Sequence, residues 1–280
     1  MQRPTIQSIR SFLNLDERVW NYVPDQWILQ AFNRYDPFAD TLEFLGDKLA
    51  ALIVTQYFDS QNWVTSVAPF LTNAKFNDVF RDICELAYER RFSVKACADA
   101  FESLLGFLFY YLNDILDDPD AYSHVRDWMI SNFPTWDTQP KHTGKWGCKK
   151  RRLRNARLGR AVFDVIATNT TINEREDTTP HALTQILRAL HSEYIYVYRS
   201  KSLPYTALEH PWALIGTTFR PHPDDLRVVE EWFDRVFDLK GMIASVGEGS
   251  SGVLTWTPPP AGYLSEEEVR QIYEGDVLEL

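Results

Sequence analysis

The sequence predicts an all-α protein made of two helical halves. Apolar residues recur at helical spacing through most of the first 135 residues and again beyond residue 153. Few short runs alternate between apolar and polar residues, as half-buried strands would require. The chain has 280 residues, 45% of them hydrophobic, and contains 17 Phe, 13 Tyr and 9 Trp. This is enough apolar material for one large domain or two ordinary ones.

Five helices are predicted in the first half, each from apolar residues three and four positions apart. Their ranges are Trp20–Phe32, Thr41–Phe58, Phe70–Tyr88, Ser93–Leu112 and Asp120–Ile130. The segment 134–147 then carries two prolines and two glycines without an apolar period, which is typical of a linker.

The second half repeats this helical character up to about residue 240. Helices are predicted at Leu153–Ile166, Pro180–Tyr198 and Asp224–Val236, and a last short one at Ser265–Tyr273, where three Glu follow the Ser. The predicted organisation is a first domain at 1–133, a linker at 134–150 that is basic at its end, a second domain at 151–240 and a C-terminal extension at 241–280.

Charge and cysteine content restrict the partners and the compartment. A net charge of −10 argues against a surface that binds nucleic acid everywhere, so any RNA or DNA contact is expected to be local. Three isolated cysteines form neither a disulfide framework nor a zinc motif, which favours an intracellular compartment, cytoplasmic or nuclear. The acid-free, Arg-containing start leaves a mitochondrial address open. No apolar run reaches the length of a membrane span, so no membrane partner is expected.

The stretch LEFLGDKLA at 42–50 places two carboxylates, Glu43 and Asp47, one helical turn apart among apolar residues. Like charges at this spacing weaken a helix, and apolar surroundings add a desolvation cost. A second pair, Asp99 and Glu102, stands in the apolar stretch KACADAFESLLG. One such pair alone could simply lie on a solvated helix face, but two pairs call for a compensating cation.

Glycines in both stretches suggest how the two pairs could meet. If the helices pack side by side, Gly46 and Gly106 allow their backbones to approach, and the four carboxylates can converge. Rigidly held carboxylates with room for water suit Mg²⁺. Such a site supports phosphoryl chemistry, because the metal activates water and stabilises the leaving oxygen.

The two motifs together resemble the catalytic domain of the ribonuclease III family, whose helices carry LEFLGD and KxxADxFEALxG. PFLTNAK at 69–75 is similar to a third family segment, and the resemblance covers about 20–133. It implies an all-helical domain that cuts double-stranded RNA with Mg²⁺, for which Mn²⁺ can substitute. By position, the catalytic and metal-binding acids would be Glu43, Asp47, Asp99 and Glu102. Asp40 and Lys95 would be auxiliary residues.

A second, degenerate copy of this domain is predicted after the linker. The segment around Gly159 aligns with that around Gly46, WALIG at 212–216 aligns with ESLLG at 102–106, and 181–194 resembles another family helix. Chance is the alternative, since the matching strings are short. In this alignment Ala156, Arg160 and Trp212 replace Glu43, Asp47 and Glu102, and only Glu209 keeps an acid. Pro211 is expected to fit poorly in a helix interior.

Ribonuclease III domains work in pairs, so the two halves are predicted to pack as an intramolecular pseudodimer with one live centre. A homodimer through the first halves and a separate partner subunit remain open, as does a non-catalytic structural or RNA-binding homologue. No double-stranded-RNA-binding domain is recognisable. A basic run would bind RNA phosphates, or serve as a nuclear address or a solvated linker; its members are Lys149, Lys150, Arg151, Arg152 and Arg154.

Overall fold

The fold is all-α, as the sequence predicts. The computed structural model describes residues 6–15, 18–33, 36–61, 71–74, 76–77, 81, 93–132, 148–175, 178–200, 211–248 and 254–255. The α-helices within these ranges are α1 Ile6–Phe12, α2 Asp25–Gln30, α3 Pro37–Ser60, α4 Val94–Tyr110, α5 Ala121–Asn132, α6 Cys148–Glu174, α7 Pro180–Ser200, α8 Pro211–Phe219, α9 Leu226–Phe237 and α10 Leu239–Ser245. Extended pairing within these ranges is limited to β1 Gly247–Glu248 with β2 Leu254–Thr255. None of the described helices has the length and apolar character needed to cross a membrane.

One predicted helix is wrong in its extent. Instead of a continuous Trp20–Phe32 helix, the chain forms a 3₁₀ turn at Arg18–Tyr22 and then α2, with Pro24 at the junction. Proline has no N–H and its ring crowds the preceding turn, so it separates the two. Most of the predicted Phe70–Tyr88 helix, the 134–147 linker and the Ser265–Tyr273 helix lie outside the described residues.

The two motif helices begin at side-chain caps. The Asp36 carboxylate accepts a hydrogen bond from the Phe38 N–H at 2.9 Å and Pro37 occupies the first turn, so α3 starts four residues before the predicted Thr41. The Ser93 hydroxyl accepts from the Ala96 N–H at 3.1 Å at the start of α4. Helix α4 then continues into a π-helical turn at Tyr111–Ile115.

Helices α3 and α4 cross in direct backbone contact. A Cβ added to Gly46 would lie 1.7 Å from the Glu102 carbonyl oxygen, and one added to Gly106 would lie 2.0 Å from the Leu42 carbonyl oxygen. A side-chain Cβ cannot come this close to a carbonyl oxygen, so both positions require glycine. The close approach predicted from the two motifs is present.

The same crossing recurs between α6 and α8. A Cβ on Gly159 would lie 1.9 Å from the Trp212 carbonyl oxygen, and one on Gly216 would lie 2.0 Å from that of Asn155. These contacts join the positions that the sequence alignment makes equivalent to those of the first crossing. The expectation about Pro211 is wrong, because Pro211 is the first residue of α8, where its missing N–H costs no helical hydrogen bond.

The two halves pack together through α3 and α6, which run antiparallel. Near the start of α3, the Thr41 hydroxyl donates to the carbonyl oxygen of Thr178, just beyond the end of α6, at 2.6 Å. At the other end, Asp59 accepts from Arg154, near the start of α6, at 2.7 Å, and from Arg220 at 3.0 Å. The buried apolar cluster continues through both halves.

Candidate metal centre

Three of the four predicted acids meet where α3 crosses α4. Glu43 on α3 and Asp99 and Glu102 on α4 each offer a carboxylate oxygen, and these oxygens lie within 4.8 Å of one another. The crossing explains the meeting, since Gly46 and Gly106 bring the helix axes close enough for side chains one turn away to converge.

Asp47 stands beside this trio rather than within it. Its Oδ2 accepts from the Lys48 ammonium at 2.8 Å, and its side chain is 44% exposed. Its negative charge is nonetheless a principal cause, after burial, of the raised pKa of Glu102. The structure therefore groups Glu43, Asp99 and Glu102 and places Asp47 next to Glu102 at the solvent side.

Burial and like charge disfavour ionisation in this cluster. Burial, followed by the charge of Asp99, raises the pKa of Glu43 from 4.5 to about 7. Burial, followed by the charges of Asp47 and Glu43, raises the pKa of Glu102 from 4.5 to about 8. Without a cation, Glu102 is largely protonated at neutral pH and Glu43 is partly so.

Lys95 supplies some of the missing positive charge. Its ammonium donates to both carboxylate oxygens of Asp99, at 2.8 and 2.7 Å, and this hydrogen bond is the main cause of its raised pKa. The Lys95 side chain is 70% exposed, while that of Asp99 is 24% exposed. Lys95 thus neutralises Asp99 and leaves Glu43 and Glu102 without a directly bound cation among the described residues.

Two of the three acids, Glu43 and Asp99, line a cleft of about 360 Å³. Asp40, predicted as an auxiliary acid, lines this cleft together with Glu43 and Asp99, and its charge contributes to the raised pKa of Glu43. Pro180, from the second half, lines it as well. The sequence does not predict Pro180 as a cleft residue, because its place depends on the packing of α3 against the end of α6, for which no local pattern exists.

The corresponding region of the second half carries no carboxylate at its three described equivalent positions. Ala156 is buried, Arg160 is exposed, and Trp212 packs on Tyr194 and Phe163 with ring centroids 4.8 and 5.2 Å apart. An aromatic cluster thus surrounds Trp212, the position equivalent to Glu102. Glu209, predicted to be the remaining acid, lies outside the described residues.

The predicted basic run divides into two parts. Lys149 to Arg152 belong to the first turns of α6, which starts at Cys148 within the predicted linker, and their side chains are not among those described. Arg154 donates to both the carboxylate and the main-chain carbonyl of Asp59, and both side chains are only 12% exposed. This contact gives Arg154 a place in the packing of the two halves.

A further group of possible metal ligands is not predicted from the sequence. Asp118, Asp120 and His124 also bring ligand atoms within 4.8 Å of one another, at and just before the start of α5. His124 lies 3.6 Å from the Asp118 carboxylate. The group lies at the protein surface and provides a control for the buried cluster.

Comparison of the chain with protein-family models, with curated proteins and with solved structures finds no match.

Proposed function

We propose that the chain is a Mg²⁺-dependent endoribonuclease of the ribonuclease III type, which cleaves double-stranded or structured RNA at one centre in its first half. The observation that carries this proposal is the convergence of Glu43, Asp99 and Glu102 within 4.8 Å of one another, beside a cleft that Glu43 and Asp99 line. The resemblance of both motif helices to that family supplies the reaction class.

The residues present fit a hard divalent cation. Carboxylate oxygens are the ligands that Mg²⁺ and Mn²⁺ prefer, and the cleft leaves room for the water that Mg²⁺ retains. Burial, followed by the charges of neighbouring acids, raises the pKa of Glu43 and of Glu102, and a bound cation would offset both effects. When bound there, the cation would lower the pKa of a water molecule and stabilise charge on the phosphodiester oxygens.

The protein side chains divide the remaining tasks. Glu43, Asp99 and Glu102 would hold the cation, each through a carboxylate oxygen, and the two glutamates would release their protons as it binds. Asp47, exposed beside Glu102, would accept hydrogen bonds from water at the solvent side of the cluster. Asp40 lies at the cleft as an auxiliary acid. Lys95 can leave Asp99 at modest cost, because the Lys95 side chain is 70% exposed and water can solvate its ammonium.

The second half would serve as a catalytically dead partner. The repeated glycine crossing and the antiparallel packing of α3 and α6 support an intramolecular pseudodimer. Ala156, Arg160 and Trp212 offer no carboxylate in place of the acids. A chain with one live centre is expected to nick one strand of the duplex at each engagement.

Cleavage of a long RNA duplex with separately labelled strands tests this proposal. The wild-type chain with Mg²⁺ should cut, the Glu102→Gln variant should not, and Asp120→Asn, in the surface group, should cut like the wild type. Native and denaturing gels of one reaction separate nicking from double cutting. If the wild-type chain binds RNA without cutting it in Mg²⁺ or Mn²⁺, the non-catalytic RNA-binding homologue is the better description.

A further inference from the structure

Arg160 is a charge reversal at the second helix crossing. It follows Gly159 as Asp47 follows Gly46, and the two glycines make equivalent backbone contacts. Arg160 is exposed, and within the described part of the chain it has no hydrogen bond or ion pair. An arginine held at this point by a rigid helix presents a fork of donors suited to phosphate.

The packing of α3 and α6 determines where Arg160 lies relative to the acids. The contacts of Thr41 with Thr178 and of Asp59 with Arg154 show that the two helices lie side by side and antiparallel. A two-fold rotation that exchanges two such helices must have its axis perpendicular to the plane containing both. In the proposed pseudodimer, whose halves would be related by such a rotation, equivalent positions on α3 and α6, such as Asp47 and Arg160, would therefore face the same side of the molecule.

The separation between the two positions suits a duplex. From the same contacts, Asp47 lies opposite a point about nine residues beyond Arg160 on α6, which is about 14 Å along the helix axis. With helix axes about 9 Å apart, the two Cα atoms lie about 16 Å from each other. Two points separated in this way on one face can each meet a different strand of an RNA duplex, because A-form RNA is contacted across a wide, shallow minor groove bordered by the phosphates of both strands.

We propose that Arg160 binds a backbone phosphate of the duplex strand that the acid cluster does not cut. This inference rests on the proposed function. The degenerate centre would thus have exchanged a cation site, which needs carboxylates, for a phosphate site, which needs a cationic side chain. Trp212, packed on Tyr194 and Phe163, keeps the crossing filled without the acids. A duplex held at both points has a fixed orientation over the acids.

Equilibrium binding of a fluorescent RNA duplex of about 30 base pairs tests this role. The full chain carries Glu102→Gln to prevent cutting, and its affinity is measured over a range of salt concentrations. Adding Arg160→Ala should weaken binding by about 3- to 10-fold at low salt and reduce the salt slope by about 1. Arg160→Lys should keep the slope, because it keeps the charge. Arg235→Ala, which removes another exposed arginine on α9, should change neither.

The inference is overturned if Arg160→Ala binds with the parent's affinity and slope, if Arg235→Ala loses as much, or if the parent binds no duplex. Mn²⁺ binding and RNA cleavage are measured on the chain without Glu102→Gln. These two measurements test the proposed function independently of the test of Arg160. If the chain neither binds Mn²⁺ nor cuts RNA, but Arg160→Ala still lowers its duplex affinity, the phosphate site is supported and the nuclease function is not.

Discussion

The main-chain carbonyl oxygen of Glu102 lies so close to Gly46 that a Cβ on the glycine would be 1.7 Å away from it. This contact joins the two acidic motifs, because Gly46 lies between Glu43 and Asp47 on one helix and Glu102 is an acid of the other. The residue whose side chain enters the carboxylate cluster is thus held by its own backbone against the facing motif.

Gly46→Ala should therefore damage both the fold and the metal site. Relieving the contact requires the helix backbones to separate, and overpacking of this kind costs about 3 kcal/mol of unfolding free energy. Separation also moves Glu43 away from Glu102, so Mn²⁺ affinity should fall by more than 10-fold. Chemical unfolding and calorimetric titration measure the two effects.

Gly159→Ala is the matched control for this substitution. Its added Cβ would lie 1.9 Å from the Trp212 carbonyl oxygen, so a similar loss of unfolding free energy is expected. The crossing of α3 with α4 is untouched, and Mn²⁺ affinity should stay near that of the wild type. Equal losses of Mn²⁺ affinity in the two variants would contradict a site confined to the first half.

Divalent-cation affinity should increase with pH between about 6 and 8. Glu43 and Glu102, with pKa values of about 7 and about 8, must release their protons before they can act as ligands. Titration of Mg²⁺ in two buffers of different ionisation enthalpy should reveal this proton release near neutral pH. Glu102→Gln should abolish most of the binding, and Asp120→Asn should leave both affinity and proton release unchanged. Binding that is independent of pH over this range would exclude the glutamates as ligands.

The stability of the metal-free chain should show the opposite pH dependence. Both glutamates have a pKa above the 4.5 of the unfolded chain, so the folded state holds protons that the unfolded state releases. Their contribution to the unfolding free energy is complete below pH 4.5 and is lost as the pH rises through about 7 and 8. Glu102→Gln, which cannot ionise, should melt at a higher temperature than the wild type at pH 8 and more nearly the same at pH 5.

Added Mg²⁺ provides the second arm of this experiment. At pH 8 it should raise the melting temperature of the wild type and have little effect on Glu102→Gln, because a ligand stabilises only the state that binds it. A Glu102→Gln variant that is less stable than the wild type at pH 8 without metal would show that burial and neighbouring charges do not destabilise the ionised Glu102.

The sequence was sufficient to predict the parts of the site that depend on short-range patterns. The apolar setting of Glu43 and Glu102 and the two glycines predicted a close crossing with converging acids, and α3 and α4 form it. The motif predicts Asp47 as an equal member of the cluster, whereas in the structure Asp47 pairs with Lys48 at the solvent side. The direction of a side chain at the edge of a cleft depends on nearby charges, which a motif does not specify.

Contacts between segments that are distant in the chain could not be predicted, because no local pattern encodes them. Pro180 reaches the acid cleft because Thr41 bonds to Thr178, a contact over 137 positions that no periodicity encodes. The prediction of a continuous Trp20–Phe32 helix is wrong for a local reason. It gives the apolar period more weight than Pro24, which separates the two short helical segments. In the sequence, only the neighbouring basic residues suggest a role for Arg154. Its actual partner, Asp59, lies 95 positions away.

Arg154 should therefore matter for stability and not for RNA affinity. It and Arg220 both bond to Asp59, whose side chain is 12% exposed, so Arg154→Met removes one arm of a partly buried network. Losing one partner of such a network is expected to lower the unfolding free energy by about 2 kcal/mol. Asp59→Ala should cost more, because it leaves two arginines without their shared carboxylate. Duplex affinity of the folded Arg154→Met chain, with Glu102→Gln present, should equal that of its parent. A drop in affinity with a smaller salt slope and unchanged stability would instead assign Arg154 to the RNA surface.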